Sequence, residues 1–151
     1  MSLDVTIKYK APKTRTVKAG IDGAACGSTV AVYDRDTEVT EDCWSANITH
    51  NMGEMASHIP VTYADSKGVI HSTTLYMAVW RPEELYPPIT TTDELKWALA
   101  NGTAYMVVHR TNLLQYNPEN GWGSYEAFLG WLLAYWRACI ENPGCEIEVS
   151  R

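Results

Sequence analysis

Phenylalanine is almost absent from this sequence, which has one Phe beside six Trp and nine Tyr, so nearly every aromatic ring carries a polar tip. Such side chains suit half-buried positions, clefts and interfaces as well as the margins of a small core. The cysteines are Cys26, Cys43, Cys139 and Cys145, and no two of them have the C-x-x-C spacing of a zinc site or redox motif. No metal held by thiolates is therefore expected, and with no signal peptide read at the start the thiols are expected to be reduced. No apolar run reaches the ~18 residues of a membrane span, and Met1 does not open a basic start followed by an apolar stretch, so neither a span nor a signal peptide is expected. Without secretion the sequons at Asn47-Ile48-Thr49 and Asn101-Gly102-Thr103 have no meaning.

Basic clusters are lacking too. Twelve Lys and Arg against eighteen Asp and Glu give a net charge of -6, which argues against nucleic acid as a partner because phosphates need a basic face. The acidic residues are scattered in short groups such as Asp34 with Asp36 and Glu41 with Asp42, without the long runs of a nucleic-acid mimic. Gly-x-Ser-x-Gly, a phosphate loop and a dinucleotide fingerprint are all missing, and nothing marks a serine as a nucleophile.

What is present fits one domain over residues 1–151, since a chain of this length with 46% hydrophobic and 20% charged residues can bury a core of its own. Val5, Ile7 and Tyr9 alternate with polar neighbours, which predicts a strand over residues 4–9. Residues 10–27 read as a loop. Residues 29–33 and 37–44 read as two further strands of a β meander. Over residues 47–59 Ile48, Met52, Met55, Ala56 and Ile59 share one helical face, which predicts a helix capped at Ser45 or Asn47 and ended by Pro60. Residues 75–80 read as an inner strand, and Pro82 opens a helical turn. Thr91 and Glu94 have capping-box spacing at the head of a helix, with Gly102 as its end or weak point. Residues 103–109 admit either strand or helix. Asn117 to Gly121 is a turn signal. Residues 125–141 form the clearest helix, capped by Ser124, and Ile147 and Val149 alternate in a last strand. The fold class is α+β, with a small antiparallel sheet packed on two or three helices.

Three groups of residues invite chemistry. Asn47, His50, Asn51, Glu54 and His58 fall on the polar face of the helix read at 47–59. His50, Glu54 and His58 are four apart, but the helical zinc motif sets its glutamate next to the first histidine, so a solvated face or a ligand site reads better than a metal. In a ligand site the amides donate and accept, and His50 is the candidate acid or base. Trp80-Arg81-Pro82 joins an aromatic plane to a cation shaped to grip a carboxylate or phosphate, unless Arg81 merely pairs with Glu83 or Glu84. Asn120-Gly121-Trp122-Gly123 precedes the main helix and reads either as a tight turn clasped by Trp122 or as an anion-facing loop.

Four blocks of this sequence resemble a family of small bacteriophage and prophage proteins of no established activity. They are Ala46 to Ala56 with its NITHN core, the WRPEEL run from Trp80 to Leu85, the NPENGWG run that opens at Asn117, and the terminal Glu148-Val149-Ser150-Arg151. The resemblance implies a phage or prophage origin and residence in the bacterial cytoplasm. It directs attention to Asn47, His50, Asn51, Trp80, Arg81, Asn120 and Trp122, and leaves Glu54 and His58 outside the family pattern. It also implies that residues 1–43, a β-rich N-terminal extension, and residues 61–72 are additions to the family core. The function expected is a non-enzymatic binding module that captures a small polar ligand such as a nucleotide, or a host protein, with no cofactor. Two alternatives stand beside it: a small hydrolase or transferase on a nucleotide-like substrate using His50, and a virion or assembly component, which would self-associate.

Overall fold

The computed structural model describes residues 2–18 and 29–151, with side chains for residues 2–9 and 41–151. The chain divides into two compact units, residues 1–8 with 42–151 and residues 9–41. The fold is α+β, as the sequence predicts. Strands β1 (Ser2–Lys18) and β2 (Thr29–Thr49) join β5 (Glu146–Ser150) in a sheet of order β2-β1-β5. A separate hairpin pairs β3 (Pro60–Ala64) with β4 (Ile70–Thr74). Between these lie α1 (Gly53–Ser57), α2 (Leu75–Trp80), α3 (Thr92–Val108), α4 (Arg110–Leu113) and α5 (Tyr125–Glu141).

Several expectations are corrected. The loop read at 10–27 is strand as far as Lys18, and its remainder lies outside the described residues. The two strands read at 29–33 and 37–44 are one, which runs on to Thr49. The helix read at 47–59 therefore starts later: Thr49 is the cap, its hydroxyl accepting from the Asn51 N–H at 3.3 Å, and a 3₁₀ turn at His50–Met52 leads into α1. Trp44, Ala46 and Ile48 pack in part against the core at strand spacing, and Ile48 alone satisfies both the period of two and the period of 3.6. Residues 75–80 form helix rather than strand. There the Thr74 hydroxyl accepts from the Met77 N–H at 3.3 Å, a cap that starts α2.

Helix α3 passes through Gly102 without a break, and residues 103–108 are helical. Glycine is needed there because a Cβ would lie 2.8 Å from Leu75 Cδ1, so α2 seats Leu75 directly on the α3 backbone. Thr91 donates to the Glu94 carboxylate at 3.0 Å, but its side chain caps no backbone N–H. Ser124 does cap α5, accepting from the Ala127 N–H at 3.2 Å.

The core forms where these elements meet. Leu3, Val5 and Ile7 of β1 are fully buried, and β1 aligns antiparallel with β5 from Asp4 opposite Ser150 to Lys8 opposite Glu146. Helices α3 and α5 run antiparallel. The Tyr125 hydroxyl donates to the Met106 carbonyl at 2.6 Å at one end of the pair, and the Thr92 hydroxyl donates to the Asn142 carbonyl at 2.7 Å at the other. Thr92 is fully buried, and its oxygen also accepts from the Cys145 N–H at 3.2 Å. Replacing Thr92 by valine keeps the shape but strands a carbonyl and an amide, so urea unfolding should show a loss of about 1–3 kcal/mol.

Candidate functional site

The strand-to-helix junction at Thr49, His50 and Asn51 faces the loop before α5. Asn51 is the tie between them: its Nδ2 donates to the Trp122 carbonyl at 3.2 Å and to Asn120 Oδ1 at 3.4 Å. Asn120 Oδ1 also accepts from the Trp122 N–H at 3.0 Å, an Asx turn that folds the loop back on itself. The Asn117 amide oxygen accepts from the Tyr125 N–H at 2.8 Å and anchors the start of the loop on α5. Gly123, with φ of +103°, lets the backbone pass against the junction, where a Cβ would meet Met52 Sδ at 2.7 Å and Thr49 Cγ2 at 2.9 Å.

Two depressions border Asn51. The first, of about 560 Å³, is lined by His50, Asn51, Glu54, by Gln115 and Tyr116 of a 3₁₀ turn at Leu114–Tyr116, and by residues 117–120 of the loop. The second, of about 580 Å³, is lined by Ser2, Asn47, Thr49, Asn51 and Trp122, the last 72% exposed. His50, Asn51 and Asn120 are thus brought to one depression, and Asn47, Asn51 and Trp122 to the other.

Trp80 reaches the site indirectly. It is 1% exposed, stacked near Tyr76 and tilted against Phe128, and its indole N–H donates to His50 Nδ1 at 3.1 Å. With Nδ1 accepting, the neutral ring carries its hydrogen on Nε2. That nitrogen is buried and has no hydrogen-bond partner among the described residues. An imidazole N–H held this way is a fixed donor whose desolvation is already complete. Arg81 lines neither depression. Its guanidinium donates to Glu84 at 2.6 Å and to the Tyr76 hydroxyl at 3.4 Å, and the bond to Tyr76, followed by that to Glu84, raises its pKa above the ordinary guanidinium value. The backbone oxygen of Trp80 is taken by Arg151, which also pairs with Glu83 at 2.6 Å.

Sequence reasoning passed over Gln115, Tyr116, Asn117 and Glu119 as site residues, although three of them lie in or beside the NPENGWG block. Tyr116 is positioned by His58, whose ring stacks on it at 4.1 Å and 9°. No local pattern links those two positions, so only the fold could show the pair. No group of three or more His, Cys, Asp or Glu among the described residues is placed to hold a metal ion, and His50 and His58 are instead engaged with Trp80 and Tyr116.

The first depression carries two carboxylates, Glu54 and Glu119, four side-chain amides, an imidazole and a phenol, and its lining has no Lys or Arg. Neither does it include a serine, threonine or cysteine. Chemically it offers hydrogen-bond donors and acceptors in a field that repels anions. Among the described residues, no helix is long and apolar enough to cross a membrane. No protein-family model matches the chain, and no curated protein and no solved structure matches it.

Proposed function

We propose that the protein is a non-enzymatic binding module that captures a small polar ligand in the depression bounded by His50, Asn51 and Asn120. The observation that carries this reading is the lining itself: four amides with a pre-ordered imidazole, two carboxylates and no nucleophilic side chain. A volume of about 560 Å³ suits a ligand of nucleoside size. The amides match the mixed donor and acceptor edge of a nucleobase, whereas a phosphate would face Glu54 and Glu119 with no cation to receive it. The ligand class is therefore a neutral or cationic nucleoside-like molecule rather than a nucleotide. The phage or prophage origin and the bacterial cytoplasm implied by the sequence blocks belong to the same proposal, as the setting in which such a capture protein works. Hydrolase or transferase chemistry on His50 is less well supported, because Trp80 occupies Nδ1 and no nucleophile lines the depression.

Calorimetric titration with adenosine, guanosine, cytidine and uridine, each beside its 5′-monophosphate, tests this. We expect at least one nucleoside to saturate and its monophosphate to bind about tenfold or more weakly, a difference of ~1.4 kcal/mol. Asn51→Ala should weaken that nucleoside by about tenfold through release of the 117–123 loop. Tighter binding of the monophosphates, or no saturable binding across the panel, would overturn the reading.

A further inference from the structure

Helix α5 buries one side in the core and leaves a second seam on the other. Glu126, Gly130, Leu133, Arg137 and Ile140 are all exposed, and they follow one another at steps of four, three, four and three, the spacing of a coiled-coil heptad. Leu133 and Ile140 are 46% and 48% exposed, large apolar side chains left in solvent by an otherwise well-packed helix. Between them and the helix start lies Gly130. Glycine in a helix interior is destabilising relative to alanine, yet a Cβ at Gly130 would meet no described atom within 4 Å. Nothing described within the chain calls for glycine there, whereas a second helix packed close on the outside would. The charges on this seam are of both signs: Arg110 holds Glu126 at 2.8 Å, and Arg137 holds Glu141 at 2.9 Å.

We propose that the exposed seam of α5 binds the same seam of a second copy, antiparallel, to form a two-fold dimer. A two-fold interface must be its own complement, since each contact is made twice with the partners exchanged. This seam meets that condition when the axis lies level with residues 131 and 132. Leu133 then enters the gap over the partner's Gly130, and Arg137 stands opposite the partner's Glu126. The absent side chain at Gly130 lets the two helix axes approach to about 8 Å, the near end of the usual range. The ion pairs join rather than compete: Arg110, Glu126, the partner's Arg137 and the partner's Glu141 form a row of alternating sign at each end. With two cations and two carboxylates the row is neutral, so the repulsion between copies that each carry a net charge of -6 is not focused there. A helix of 17 residues is about 25 Å long, which makes a contact at the small end of specific interfaces, so the dimer is reversible rather than permanent.

The test is sedimentation equilibrium of the full chain from micromolar to millimolar concentration under reducing conditions. The mass should rise with concentration from that of one chain, 16.9 kDa, to twice that value and stop there. Leu133→Arg should weaken the dimer by ~30-fold or more while leaving the circular dichroism spectrum unchanged, because the position is exposed. Register is read by exchanging charge. Arg137→Glu and Glu126→Arg each set like charges opposite one another and should each be monomeric alone, yet an equal mixture of the two variants should dimerise, since every opposed pair is then of opposite sign. A wild-type chain that stays at one mass throughout, a dimer that Leu133→Arg leaves intact, or a mixture that remains monomeric would overturn the proposal.

Discussion

Gly123→Ala is expected to cost about 2–5 kcal/mol in urea unfolding, the sum of a strained positive φ and the overpacking of a buried contact. Both terms follow from the same few atoms. The backbone at Gly123 has φ of +103°, which alanine adopts only under strain, and the added methyl would press on Met52, which is fully buried, and on Thr49, whose hydroxyl caps the turn after β2. The loop would have to lift, and lifting it draws the Trp122 carbonyl away from Asn51. Gly121 supplies the control. Its φ is +75°, but a Cβ there meets nothing within 4 Å, so Gly121→Ala should carry the backbone strain alone, about 1 kcal/mol. Equal losses for the two variants would show that close approach of the loop to Met52 and Thr49 is not what Gly123 provides.

The second large effect is at Trp80. Trp80→Ala empties a buried site between Tyr76 and Phe128 and should cost about 3–5 kcal/mol. Trp80→Phe is the more informative change. It keeps a ring in the stack but removes the indole N–H, leaving His50 Nδ1 without its donor, for a loss of about 1–3 kcal/mol. A double-mutant cycle with His50→Ala should then give a coupling of about 1 kcal/mol, because either single change already removes the bond. Additive losses would mean that Trp80 acts by bulk alone and does not orient His50.

Helix α5 and strand β5 were legible in the sequence because local signals there agree with the packing. Ser124 caps, the apolar residues recur at three and four, Pro143 and Gly144 stop the helix, and Ile147 and Val149 alternate. Helix α2 was not legible, since six apolar and aromatic residues flanked by Thr74 and Arg81 fit a buried strand equally well. Its state is decided by the Thr74 cap and by the seat that Gly102 offers Leu75, and the second of these is a tertiary contact. The same holds for α3 beyond Gly102, where the β-branched residues Thr103, Val107 and Val108 leave strand and helix equally open and the antiparallel fit to α5 keeps the helix.

At the site, the grouping of His50 and Asn51 followed from their nearness in sequence, and a turn at Asn117 to Gly121 from its residues, though not the Asx bond that Asn120 makes within it. The meeting of Asn51 with Asn120 and Trp122, and of His50 with Trp80, joins segments that no local rule connects. Arg81 shows the reverse case: its geometry for gripping anions was legible, but Glu84 and Tyr76 already use it.

The pairing of β1 with β5 also bears on how the chain is made. Asp4 lies opposite Ser150 and Ile7 opposite Ile147, so nearly the whole length of the chain separates residues that must align within one ladder. A contact of such sequence separation closes late and slows folding, because the loop entropy is spent before the contact forms. During synthesis Leu3, Val5 and Ile7 leave the ribosome long before residues 146–150, so β1 can meet β2 well before it meets β5. The α3–α5 pair is local by comparison and can assemble first, offering the surface onto which the two distant strands then zip.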